Sequence, residues 1–239
     1  MKLGPFLARW RGQPLRYGHR LCDVNAGVAR LLALVVLVAA GGPAYSASER
    51  HVLVLGDSLA AGYGLPAAQA FTARLEASLR QARISAVVHN AGVSGDTSAG
   101  GRARLDWALA GVPGGRPDLV IVELGANDAL RGLAPQTTEA NLAAILEALA
   151  RQRVPALLAG MKAPRNMGRD YVAAFDAIYP RLAAQFNVPL YPFFLDGVVA
   201  EPRLNQPDGI HPNAEGVGVI VAAITPLIAK TLGPEAAPR

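Results

Sequence analysis

From residue 47 onward, short apolar runs alternate with longer stretches in which apolar side chains recur every three or four positions. The short runs lie at 52–55, 84–89, 119–124, 154–159 and 188–194. They are rich in Val, Ile and Leu and do not alternate with polar residues, which predicts strands buried on both faces. Between them, Leu142, Ile145, Leu146 and Leu149 form one helical stripe, and Tyr171, Phe175, Ile178, Leu182 and Phe186 form another. The stretch from 213 to about 230 repeats the pattern with Val217, Ile220, Val221, Ile224 and Ile228, and Pro226 is expected to kink or shorten that helix.

Strand and helix in strict alternation predict an α/β fold. The expected form is a three-layer sandwich: a five-stranded parallel flavodoxin-like sheet with right-handed crossovers and helices on both faces. Sites in such sheets form beyond the carboxyl ends of the strands. The chain of 239 residues suits one domain with a sizeable core. The expected organisation is a leader at 1–46, one domain at 47–232 and a frayed tail at 233–239.

Charge changes the picture once it is divided along the chain. The net charge of the whole is +5. Residues 1–46 hold Lys2, Arg9, Arg11, Arg16, Arg20 and Arg30 against Asp23 alone, which is also +5. Residues 47–239 therefore carry 17 basic and 17 acidic side chains. The folded part presents no electrostatic case for nucleic acid as a partner. Within the leader, a basic stretch precedes an apolar run at 31–40, then Gly41, Gly42 and Pro43, then Ala44-Tyr45-Ser46-Ala47. This is the layout of a secretory signal peptide cut after Ser46. A run that short does not span a bilayer, which needs about 20 residues. Export to the periplasm or the medium is expected, with no stable membrane span in the mature chain. The sole cysteine, Cys22, lies in the leader, so the mature chain is indifferent to an oxidising compartment.

Four motifs fall at strand carboxyl ends. Gly56-Asp57-Ser58-Leu59 follows the first strand. A serine there is lifted over the sheet edge, and its N–H joins the unpaired donors that open the next helix. Ser58 is thus either a nucleophile or a helix cap. Asp208-Gly209-Ile210-His211 can pair a base with a carboxylate inside one turn, and a serine hydroxyl needs such a base. It can equally be a surface turn. Asn90-Ala91-Gly92-Val93-Ser94-Gly95-Asp96-Thr97 and Gly125-Ala126-Asn127-Asp128 follow the second and third strands. Either loop can offer N–H donors to an oxyanion, or be an ordinary turn. Placement of all four on one rim favours function. His51 and His89 flank strands and are read as structural, and no metal-ligand cluster stands out.

The sequence resembles the GDSL or SGNH hydrolase family, whose four blocks occur here in order across about residues 51–230. It is most similar to the bacterial periplasmic thioesterase, lysophospholipase and arylesterase subgroup. The resemblance rests on Gly56-Asp57-Ser58-Leu59-Ala60-Ala61-Gly62-Tyr63, Ser94-Gly95-Asp96-Thr97-Ser98, Val122-Glu123-Leu124-Gly125-Ala126-Asn127-Asp128 and Asp208-Gly209-Ile210-His211-Pro212-Asn213. Ala126 departs from the glycine common there. The resemblance implies Ser58 as nucleophile, with Asp208 and His211 completing a triad. It implies an oxyanion hole of Ser58, Gly95 and Asn127. It also implies ester or thioester cleavage through an acyl-enzyme, with a small acyl ester or thioester as partner and no metal or other cofactor; a monomer is expected, although the sequence leaves the oligomeric state open. A carbohydrate O-acetyl esterase and a non-catalytic exported binding module are the alternatives. Asp57 and Asp128 are expected to support their loops and not to take part in catalysis. Lys162, Arg165 and Arg131 are read as solvated cations within reach of an acidic head group. The loops at 129–135 and 160–169 are expected to border the acyl pocket.

Overall fold

The computed structural model describes residues 49–233. The expected signal peptide and the tail beyond Gly233 lie outside the described residues. Five strands, β1 (Arg50–Gly56), β2 (Ala86–Gly92), β3 (Leu119–Glu123), β4 (Ala156–Ala159) and β5 (Leu190–Tyr191), form one parallel sheet in the order β2-β1-β3-β4-β5. This is the flavodoxin-like order, and the chain reverses direction across the sheet between β1 and β3.

The helices are α1 (Ser58–Ala61), α2 (Phe71–Gln81), α3 (Ser98–Ala103), α4 (Leu105–Ala110), α5 (Ala126–Leu130), α6 (Pro135–Arg151), α7 (Arg169–Asp176), α8 (Ile178–Phe186) and α9 (Ala214–Leu232). They pack as two groups, α2 with α9 on one face and α3, α6, α7 and α8 on the other. The predicted stripes are the buried ones: Leu142, Ile145, Leu146 and Leu149 on α6, and Val217, Ile220, Val221, Ile224 and Ile228 on α9. Helix α9 is long and apolar enough to cross a bilayer, yet that stripe lies in the core.

Several boundaries differ from the sequence expectation, each for a local reason. Strand β5 shrinks from seven expected residues to Leu190–Tyr191. Pro189 and Pro192 flank it and have no N–H for the ladder, so it survives as a short edge strand. Strand β2 starts later and runs further than the apolar run, through His89 and Asn90, and its burial alternates because it is the other edge. The stripe from Tyr171 to Phe186 divides into α7 and α8 at Ala177. Pro180 explains the break, since its ring opposes the carbonyl four residues back, at Asp176. Pro226 does not shorten α9, which runs on to Leu232. Gly92, at the end of β2, passes so close to α1 that a Cβ there would stand 2.3 Å from the Ala61 nitrogen. That approach brings the second motif against the first.

Candidate active site

Ser58 opens α1, but it is not the cap. Asp57 is, with its Oδ1 accepting from the Leu59 N–H at 3.0 Å. Ser58 is therefore free to point its hydroxyl over the sheet edge, and its N–H stays among the open donors of the first turn. His211 Nε2 lies 2.9 Å from Ser58 Oγ, and His211 Nδ1 lies 2.6 Å from Asp208 Oδ2. The other Asp208 oxygen accepts the backbone N–H groups of Ile210 at 2.9 Å and His211 at 3.0 Å. Three donors on one carboxylate hold it ionised: the His211 and Ile210 backbone bonds first, then the imidazole, lower it from 3.8 to about 2. The structure thus joins Asp208, His211 and Ser58 in one hydrogen-bonded line across 153 residues.

Gly95 has φ +83, a left-handed backbone that favours glycine, and a Cβ there would come no closer than 3.6 Å to Arg131 Nη2. Arg131 donates to the Gly95 carbonyl at 2.6 Å, so this predicted solvated cation anchors the Gly95 loop. Arg165 pairs with Asp176 at 3.3 Å, and Lys162 Nζ sits 4.8 Å from the centre of the Phe193 ring. Asn127 rides in the first turn of α5 after Gly125. Its Nδ2 donates to Asp57 Oδ2 at 3.1 Å and to the Asp96 carbonyl at 2.9 Å. Both amide hydrogens are engaged within the protein, so an oxyanion must displace one of these acceptors. Asp128 is buried and accepts from the Ser98 backbone, the Ser98 hydroxyl and Thr138 Oγ1, which ties α5 to α3 and α6.

Beside Ser58 lie two buried carboxyl groups. Burial raises Asp57 from 3.8 to about 6, against the pull of its Leu59, His211 and Asn127 neighbours. Glu123 is fully enclosed, and burial followed by the Asp57 charge pushes it well above the ordinary carboxyl range. Its Oε2 accepts the Asp57 N–H at 3.3 Å, while Oε1 has no hydrogen-bond partner. Glu123 was visible as the lone charge in an apolar strand run, a signal of enforced burial. Arg104 and Gln206 left no such trace. Arg104 binds Asp96 Oδ2 at 2.6 Å, the Ala91 carbonyl at 2.7 Å and the Gly56 carbonyl at 2.8 Å. Gln206 reaches the Tyr63 carbonyl, 143 residues away, at 2.7 Å. His51 and His89 meet each other at 3.0 Å near the opposite end of the sheet from Ser58.

Comparison with known proteins accords with this geometry. Residues 54–219 match the GDSL-like lipase/acylhydrolase family. Thioesterase 1/protease 1/lysophospholipase L1 of Escherichia coli (strain K12) is 46% identical over 170 residues, covering 71% of this chain and 79% of that protein. Esterase TesA of Pseudomonas aeruginosa is 42% identical over 181 residues, covering 76% and 86%. The crystal structure of AlinE4, an SGNH-hydrolase family esterase, superposes with a TM-score of 0.66 at 48% identity, covering 78% of this chain and 98% of that one. The chain belongs to the GDSL-like lipase/acylhydrolase family and is an ester-bond hydrolase.

Proposed function

We propose that Ser58, His211 and Asp208 carry out nucleophilic hydrolysis of small acyl esters and thioesters. The line of hydrogen bonds from Asp208 through His211 to Ser58 Oγ carries this reading. Ser58 Oγ attacks the acyl carbonyl as His211 Nε2 takes its proton. Asp208 holds the imidazole tautomer and stabilises the imidazolium. The developing oxyanion lies among the Ser58 N–H, the Gly95 N–H and Asn127 Nδ2, once Asn127 gives up one of its two internal acceptors. His211 then protonates the leaving alcohol or thiol, and water clears the acyl-enzyme by the same route in reverse.

An apolar acyl group is supported by the rim of the site. Val93 and Ile210 are exposed large apolar side chains on motif loops, and Leu130 is another at the end of α5. The loop at 129–135 is held against α7, where Tyr171 donates to the Leu133 carbonyl at 2.8 Å. The residues of this reading meet within a single chain, so one copy carries a complete line from Asp208 to Ser58. The leader at 1–46 supports export to the periplasm or medium, and mass spectrometry of the exported protein is expected to place its first residue at Ala47.

The test is turnover of p-nitrophenyl esters from acetyl to long-chain acyl, together with a fluorophosphonate probe. Wild type is expected to label and turn over. Ser58→Ala is expected to lose the label and on the order of 10⁴-fold in kcat. Equal turnover by both would overturn the reading. A preference confined to acetyl groups would point to O-acetyl ester substrates.

A further inference from the structure

The segment carrying His211 is poorly anchored by packing. Asp208 and Gly209 are exposed, and Ile210 between them and His211 is 49% exposed. Loops with so little burial move on nanosecond to microsecond timescales unless hydrogen bonds fix them. Gln206 supplies such bonds. Its Nε2 donates to the Tyr63 carbonyl at 2.7 Å and to the Pro212 carbonyl at 3.0 Å. Its N–H donates to the His211 carbonyl at 2.7 Å, and its carbonyl accepts from Gly209 at 3.0 Å. One residue thus closes the turn that bears Asp208 and His211, and fastens that turn to the strand-helix segment that bears Ser58.

Tyr63 makes the reciprocal contact. Its N–H donates to the Ser58 carbonyl at 3.1 Å, so its position is referred to the nucleophile's own backbone. Its ring lies against the imidazole, with centroids 4.5 Å apart and planes tilted by 35°. Gly64 makes room for the amide: a Cβ there would stand 2.2 Å from Gln206 Oε1.

We propose that Gln206 and Tyr63 are positioning residues that together hold the imidazole of His211 at hydrogen-bond distance from Ser58 Oγ. This rests on the hydrolytic reading of Ser58 and His211. The pair acts on proton transfer and not on acyl binding. A displacement near 1 Å of a reacting group costs about 10²-fold in rate. The tyrosine face also attracts the imidazolium formed as Ser58 loses its proton, a gain realised only as the reaction proceeds.

The test uses p-nitrophenyl acetate, whose small acyl group makes few pocket contacts. Gln206→Leu keeps the side chain's bulk and removes its amide. It is expected to lower kcat roughly 10–100-fold with KM within about twofold of wild type. Tyr63→Ala, at a site 53% exposed, is expected to lower kcat about fivefold, and Tyr63→Phe, which keeps the ring, less than that. The double variant Gln206→Leu/Tyr63→Ala is expected to lose less than the product of the single losses, because both act through one imidazole. A kcat within about twofold of wild type for Gln206→Leu, a loss confined to KM, or strictly multiplicative losses would overturn the proposal. Should Gln206→Leu not fold, Tyr63→Ala decides alone, and an unchanged kcat there overturns it. Failure of the hydrolytic reading is distinguishable, since wild type would then match Ser58→Ala.

Discussion

Asn127 holds two loops together before any acyl group arrives, because its amide bridges Asp57 and the Asp96 carbonyl. Asn127→Ala therefore removes a brace and, on the proposed mechanism, an oxyanion donor. The expected loss in kcat is roughly 10²–10³-fold, about 3–4 kcal/mol, on p-nitrophenyl butyrate. A kcat equal to wild type would remove Asn127 from the oxyanion hole while leaving the triad standing. The buried carboxyls set a separate prediction in pH. Asp57 and Glu123 are both raised above their unfolded values of 3.8 and 4.5, so the folded state binds protons more tightly. Their contribution to stability is complete below those values and fades as pH rises, for Asp57 by about pH 6. Asp208 has the opposite sign: its contribution is present above 3.8 and lost as pH falls toward about 2. Glu123→Gln is isosteric and uncharged, so its Tm is expected to match wild type at pH 4 and exceed it at pH 8. A lower Tm at both pH values would mean that the carboxyl is needed for its shape and bonds. At this scale the hydrogen-bonded line of Asp208, His211 and Ser58 was legible in the sequence, since Asp208 and His211 meet within one turn and Ser58 sits in a recognisable motif. The roles of Gln206 and Arg104 were not, because their partners lie far along the chain and only the fold pairs them.

Helix α9 begins three residues after His211, and its cap Asn213 is the hinge between chemistry and scaffold. Its Oδ1 accepts from the Glu215 and Gly216 N–H groups at 2.9 and 3.0 Å, and its Nδ2 donates to the Arg203 carbonyl at 2.7 Å. Asn213→Ala is expected to cost about 1–2 kcal/mol, the upper part of the range for a lost cap, because the return bond to Arg203 goes with it. Chemical denaturation would measure that cost, and a change below about 0.5 kcal/mol would make the cap dispensable. The same element marks the limits of reading from periodicity. Its buried stripe was legible because Val217 to Ile228 keep one spacing, and the strand centres were legible because they are short Val-, Ile- and Leu-rich runs without polar alternation. The ends were not. Proline acts through a specific carbonyl and a specific N–H: Pro180 breaks the helix ahead of it, Pro226 leaves α9 continuous, and Pro189 with Pro192 confines β5 to two residues. Each outcome depends on what surrounds the proline in the fold.

The molecule as a whole places its chemistry on the one rim where its topology reverses. Serine and asparagine follow β1 and β3, the two strands flanking the reversal, and Gly95 follows the edge strand β2 beside them. Loops brought so close need ties that no strand can supply: Asn127 joins the loop after β3 to the other two, and Arg104 joins the ends of β1 and β2 to the Gly95 loop. Its guanidinium meets the Gly56 carbonyl from β1, the Ala91 carbonyl from β2 and the Asp96 carboxylate from the Gly95 loop, in a pair whose side chains are 16% and 17% exposed. A planar guanidinium directs donors at three acceptors at once, whereas an ammonium on a flexible stem cannot match that fork. Arg104→Lys keeps the charge and is still expected to lower stability by about 2–4 kcal/mol, somewhat under the cost of breaking a fully buried pair. It is also expected to lower kcat, since Gly95 is one residue from Asp96 and would lose its fixed place relative to Ser58. Thermal unfolding and p-nitrophenyl ester turnover on the same preparation read both effects. A lysine variant with wild-type Tm and kcat would mean that the loops hold their own geometry, and that the rim needs only a positive charge at this position.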